Sequence, residues 1–319
     1  MSTRRRALIA IGGVVTLAGC LGDTDDTQLV DGGQSVDDGQ SVNDSVGSES
    51  NGTADDEQPE SPSEPPVPET ITSARAGLDA ARLTYASFAG TDDPTILDVT
   101  SLTREYDFLA VVDHLKDVDS ALNEAQKRTG DEFTELTERL RQEYYLLDEL
   151  VRAQRRGQLI GIVADRYVGS TAKSSPDLSL LTSRHEQMRA RQIEFIQRIN
   201  KADSFLTDSF TPEVGTASQY RRKIDQLDDE RTTFAVYLNA HEDFRQGVEQ
   251  YNDATASLSA GRSVGAVGSA REAERSFEAC LAALSRASAE TVAPLTRSFR
   301  SGVESSLAAA RQLQQRAEA

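Results

Sequence analysis

From residue 71 onward the apolar positions recur every third or fourth residue, the spacing that places them on one face of an α-helix. Ile71, Ala74, Leu78, Ala81, Tyr85 and Phe88 make a first stripe that ends at Gly90. Phe108, Val111, Leu115, Val118, Leu122 and Ala125 make a second, closed by Gly130. Asp131 is then the expected N-cap of a third helix carrying Phe133, Leu136, Leu140, Tyr144, Leu147 and Leu150. The apolar run Gln158–Ala164 is expected to continue that helix rather than form a strand. Leu178, Leu181, His185 and Met188 open a fourth stripe that carries on through Ile196 and Ile199. Thr211-Pro212-Glu213 places a capping residue ahead of a proline at a first helical position. It predicts the start of a long fifth helix with Tyr220, Ile224, Leu227, Phe234, Leu238 and Val248. Ala270, Ala273, Phe277, Cys280 and Leu284 give a sixth stripe, and Leu295, Phe299, Val303, Ala310 and Leu313 the last.

No stretch alternates with period two for long enough to read as a strand. Narrow stripes joined by short connections predict an all-α fold, an antiparallel bundle of about seven helices spanning residues 71–319. Ala273, Phe277 and Cys280 have a spacing similar to that of a tetratricopeptide helix, but no 34-residue self-similarity accompanies it.

Before the stripes begin, the pattern is different. Residues 21–70 hold fourteen Asp and Glu, no Lys or Arg, and few large apolar groups. Such a segment buries too little to offset the entropy of ordering it, so a disordered acidic tether is expected. Five prolines between Pro59 and Pro68 should stiffen its end. A coil of that length has a root-mean-square reach of about 40 Å.

Ahead of the tether, Ala7 to Leu17 is an apolar run of eleven residues preceded by Arg4, Arg5 and Arg6. At about 1.5 Å of rise per residue it covers roughly half of a ~30 Å hydrocarbon core, which suits an export signal better than a membrane span. Thr3-Arg4-Arg5-Arg6-Ala7-Leu8 resembles the twin-arginine export motif, whose receptor reads Arg4 and Arg5. Leu17-Ala18-Gly19-Cys20 resembles a lipobox, with small residues at Ala18 and Gly19 to fit a protease cleft. That resemblance implies cleavage before Cys20 and a lipid joined to its thiol. Expected boundaries are a signal peptide at 1–19, lipidated Cys20 with the tether at 20–70, and the helical domain at 71–319. It also implies a membrane-associated protein held by its lipid at the extracellular face of the cell membrane.

Charge sharpens the picture. The formal net charge is −18; removing the tether's −14 and the leader's +3 leaves −7 for residues 71–319. Only five of the 34 basic residues are lysine. Acid excess with arginine in place of lysine keeps a surface hydrated when molar salt has shrunk the Debye length to about 3 Å. With the leader, the chain resembles a haloarchaeal secreted lipoprotein, halophilic and archaeal. The sequence has no clustered cations of the kind that face phosphates, so nucleic-acid binding is not expected. After lipidation of Cys20 only Cys280 is left, which excludes an intrachain disulfide.

Candidate chemistry is sparse. Gly261-Arg262-Ser263-Val264-Gly265 matches a nucleophile-elbow pattern, but a helical stripe precedes it and no histidine follows it. His114, His185 and His241 are isolated in sequence, and His185 and His241 fall on inward stripes where core histidines are expected. Cys280 reads as a small buried apolar residue. No metal site, cofactor or catalytic residue is expected, and the chain reads as a non-enzyme. The expected role is a surface-anchored helical interaction or scaffolding module with a protein partner in the envelope. A solute- or ion-binding lipoprotein of a transport system is the alternative, and a hydrolase or metal enzyme without a recognised motif is the third. The two N-glycosylation triplets, at Asn43 and Asn51, both fall in the tether. If they are used, the intact mass of the mature protein will exceed the polypeptide mass by one or two glycans; an unmodified mass leaves them as chance triplets.

Overall fold

The computed structural model describes residues 66–128, 130–173 and 176–319. The expected signal peptide, Cys20 and nearly all of the expected tether lie outside them. The described residues form an all-α bundle of seven α-helices with no strand. They are α1 (Glu69–Ser87), α2 (Phe108–Arg128), α3 (Thr134–Thr171), α4 (Leu178–Phe205), α5 (Ala217–Ser259), α6 (Ser263–Leu284) and α7 (Ala293–Glu318). No described helix is long and apolar enough to cross a membrane.

Every predicted stripe becomes one helix, and each buries most of the residues expected of it, while Phe88, Phe108, Phe133, Leu136, Tyr144, Leu178, His185, Ile196 and Leu238 are only half-buried at stripe edges or ends. Consecutive helices run antiparallel: Arg156 and Arg198 bridge α3 to Glu194 and Glu149 in reverse order, and Arg311 and Arg271 of α7 and α6 do the same with Glu274 and Glu318. α3 packs against α1, α2, α4, α5 and α7, so it forms the axis of the bundle. α5 is continuous over 43 residues, about 65 Å at 1.5 Å per residue. Phe299 of α7 is the hub of the aromatic core. Its ring makes edge contacts with Tyr167 of α3 at 5.4 Å and with Tyr237 and Phe244 of α5 at 5.8 and 6.0 Å.

Two predicted helix starts are displaced. Asp131 does not cap α3; it opens a 3₁₀ turn, Asp131–Phe133, closed by a bond from Phe133 N–H to the Gly130 carbonyl, and α3 begins at Thr134. Thr211-Pro212-Glu213 does not start α5. The buried Glu143 carboxylate of α3 accepts the N–H groups of Glu213, Val214 and Gly215 at 2.7, 3.2 and 2.9 Å, together with the Tyr220 hydroxyl at 2.8 Å. Those amides are committed to a side chain across the bundle, so the helix begins only at Ala217, capped by Thr216 Oγ1.

Residues 88–107 connect α1 to α2 without a helix of their own, and they lie against α3 and α5. Gly161 lets them approach: a Cβ there would sit 2.2 Å from the Ser101 carbonyl oxygen. Backbone groups this close to a core need partners. Gln158 Nε2 of α3 donates to the carbonyls of Thr103, Arg104 and Tyr106 at 3.1, 3.0 and 3.2 Å. Lys223 and Gln226 of α5 both donate to the Val99 carbonyl, and Glu230 accepts the Ser101 amide at 3.1 Å and its hydroxyl. Lys223 and Glu230 are both fully buried. Burial pulls the Lys223 amine down to about 8, opposed by the attraction of Glu230 and Asp98.

Removing Glu230 leaves the Ser101 amide and hydroxyl without their acceptor and the buried Lys223 without its attraction. Glu230→Ala should cost about 3–5 kcal/mol in urea unfolding. Lys223→Met combined with Glu230→Leu should recover part of that loss. A single-variant cost below about 1 kcal/mol would show that the pair does not fasten the crossing.

Candidate functional site

α3 carries the stretch Arg152-Ala153-Gln154-Arg155-Arg156, and the i, i+3, i+4 spacing puts the three arginines on one face. Arg198 meets them from antiparallel α4, and Phe108, the first residue of α2, closes the third side. Together with Leu159 these side chains line an open recess of about 340 Å³. Four guanidiniums and two apolar groups therefore share one concave surface, and no carboxylate lines it.

The carboxylates that neutralise these arginines lie outside the lining. Asp148 takes Arg152 through Nε, at 3.0 and 2.8 Å to its two oxygens. Glu194 holds Arg156 through Nε at 2.8 Å. Glu149 holds Arg198 through Nη1 at 2.9 Å and also takes the Lys201 amine at 2.6 Å. Burial would raise the Glu149 pKa, but the hydrogen bonds from Lys201 and Arg198 outweigh it and hold the carboxyl below its usual range. Arg155 donates to the amide oxygen of Gln158 at 2.6 Å and has no carboxylate partner among the described residues. Gln158 is in turn locked by the three carbonyls of the α1–α2 crossing. Nε attachment leaves the two terminal nitrogens of Arg152 and Arg156 out of those ion pairs. Side-chain exposures of 40, 39 and 36% for Arg152, Arg156 and Arg198 keep them within reach of a ligand from solvent. Such an array can hold and orient an anion.

No clustered cations were expected, because the linear sequence shows only short basic stretches, among them the three-arginine stretch of α3. Its shared helical face was readable from the spacing; the fourth arginine, 42 residues beyond Arg156, was not.

The sequence-predicted residues fall in several places. Arg4, Arg5, Leu17, Ala18, Gly19, Cys20, Asn43 and Asn51 lie outside the described residues. Ser263 is exposed at the first position of α6, after a turn in which Gly261 has φ +71°, and helix α5 precedes it. Cys280 is buried, and desolvation pushes its thiol up to about 12. His114 is half-buried on α2. His185 and His241, 56 residues apart, are brought face to face: their rings stack at 4.1 Å with planes 10° apart. Tyr167 Oη lies 3.0 Å from His241 Nδ1. Among the described residues no group of three or more His, Cys, Asp or Glu has the arrangement of a metal site. No protein family, curated protein or solved structure matches this chain.

The stacked pair gives folding a pH dependence of definite sign. Desolvation, then His185 beside it, lowers His241 to about 4; desolvation also lowers His185. Glu186 and Arg189 of α4 and Glu242 and Arg245 of α5 are the charged neighbours, and their effects partly cancel. Between about 6.5 and 4 the unfolded chain takes up a proton that the folded chain refuses, so stability is full above that window and falls as pH drops through it. Urea unfolding between pH 7 and 5 should show a slope on the order of 1 kcal/mol per pH unit. His241→Leu should flatten it, whatever its effect on stability at pH 7. An unchanged slope would place the uptake elsewhere.

Proposed function

We propose that this protein is an exported, lipid-anchored module whose helical body docks another component of the cell envelope and carries out no catalysis. The leader and lipobox resemblance supports attachment through Cys20 at the extracellular face of the membrane, with Arg4 and Arg5 read during export. The acidic residues 21–70 act as the tether that lets the body reach away from the surface. The observation that carries the docking role is the four-arginine recess, a local concentration of cations on a body whose net charge is −7. In an acidic surface a basic concavity focuses the field and attracts an anionic group of the partner. Nucleic acid is a poor candidate partner, since the surrounding acid excess would repel an extended polyphosphate.

The size of the recess favours a second reading, the solute-binding lipoprotein of a transport system, because about 340 Å³ lies in the range of small-molecule sites. Crosslinking of intact membranes separates the two. A docking module yields a covalent protein adduct that mutation of the recess removes, whereas a solute receptor yields none at rest.

Cys20→Ser should lose its lipid and move from the membrane fraction to the soluble or secreted one. Full retention in the membrane would remove the lipid anchor from the account.

A further inference from the structure

We infer that the recess between α2, α3 and α4 binds a phosphate-type oxyanion carried on a small, partly apolar organic body, an inference that rests on the recess being the working site of the module. Three features of the lining lead there.

The first is the number and direction of the cations. A carboxylate offers two oxygens in one plane and is satisfied by a single guanidinium fork. Here three arginines come from one face of α3 and a fourth from α4 opposite, so donors converge from more than one side. A tetrahedral anion, with three or four oxygens pointing apart, can engage several of them at once.

The second is the support behind the cations. Asp148, Glu194 and Glu149 fix Arg152, Arg156 and Arg198 from outside the lining, through Nε for the first two and through Nη1 for the third. Gln158 fixes Arg155 without neutralising it. The four guanidiniums are thus positioned before a ligand arrives, and one positive charge has no carboxylate partner among the described residues to compete with it. The amides at the start of α2 add little: Asp107 already accepts those of Leu109 and Ala110 at 2.9 and 3.4 Å. Recognition therefore falls on the side chains.

The third is the apolar part of the wall. Inorganic phosphate has no use for Phe108 or Leu159, and it would fill only a fraction of about 340 Å³. A phosphate ester whose organic portion lies against the Phe108 ring and the Leu159 side chain uses the whole lining. That chemistry has two sources, a soluble phosphate ester or the headgroup of an anionic phospholipid, and the experiment separates them.

The test uses the chain from residue 20 to 319 with Cys20→Ser, in the lowest salt at which far-UV circular dichroism shows it folded. Calorimetric titration with phenyl phosphate should give saturable binding, tighter than with inorganic phosphate or benzoate. Sedimentation with phosphatidylglycerol vesicles, against phosphatidylcholine vesicles, reads the lipid source: retention on the former alone assigns the headgroup, and phenyl phosphate binding without retention assigns a soluble ester. Arg155→Ala, which strands no carboxylate, should weaken whichever binding is seen by about 10- to 100-fold. Arg155→Lys keeps the charge but loses the fork and should also weaken it. The inference is overturned if neither phenyl phosphate nor phosphatidylglycerol binds, if benzoate binds as tightly as phenyl phosphate, or if Arg155→Ala binds unchanged. Membrane crosslinking in the wild-type chain is scored separately. A partner adduct without phosphate binding would therefore sink this inference and spare the docking module.

Discussion

The twenty residues between α1 and α2 have to lie on the bundle without leaving their peptide groups bare. Water cannot serve those that face the core, so α3 and α5 must supply donors and acceptors from the side. Gln158, Lys223, Gln226 and Glu230 do this, and Gly161 leaves the space in which Ser101 comes close. Two buried charges of opposite sign are tolerable there because Gln226 bonds to both and each also has a backbone or hydroxyl partner in the crossing. Without this fastening α1 and α2 would keep their own hairpin but lose part of their register on α3. The recess would feel it directly, since Phe108 follows the crossing and Gln158 both holds the crossing and positions Arg155.

The same device appears at the other long connection. Glu143 gathers three successive amides and the Tyr220 hydroxyl, which sets where α5 begins. A single axial helix therefore presents Glu143 and Gln158 to two different loops, and between them exposes Arg152, Arg155 and Arg156. Architecture and recess share one element. Substitutions on α3 are expected to be felt in both, and for that reason Arg155, which among the described residues bonds to a neutral amide and to no carboxylate, is the informative position.

Charge is handled differently inside and out. Outside, ion pairs such as Arg245 with Glu242 and Glu249 are exposed and contribute little each. Inside, the polar groups are few and almost all are partnered. The stacked histidines fit this division: the two rings pack like any aromatic pair, and protonating the buried His241 would place a charge away from water and against His185. Their neutrality is a condition of packing.

The sequence by itself determined the class of fold and the extent of most helices, because a helical period needs only nearest-turn information and a glycine such as Gly90 acts on its own turn. It also placed Phe299, Cys280 and His241 on buried stripes. It misplaced the starts of α3 and α5, where a local capping pattern lost to a 3₁₀ turn in one case and to a distant carboxylate in the other. Only the tertiary structure decided that Glu230 and Lys223 meet Ser101 and Val99 beneath the crossing, that His185 lies on His241, and that Arg198 completes the face begun by Arg152. Those encounters join residues on different elements of the fold. Their distances depend on how whole helices dock, which periodicity along one chain does not encode.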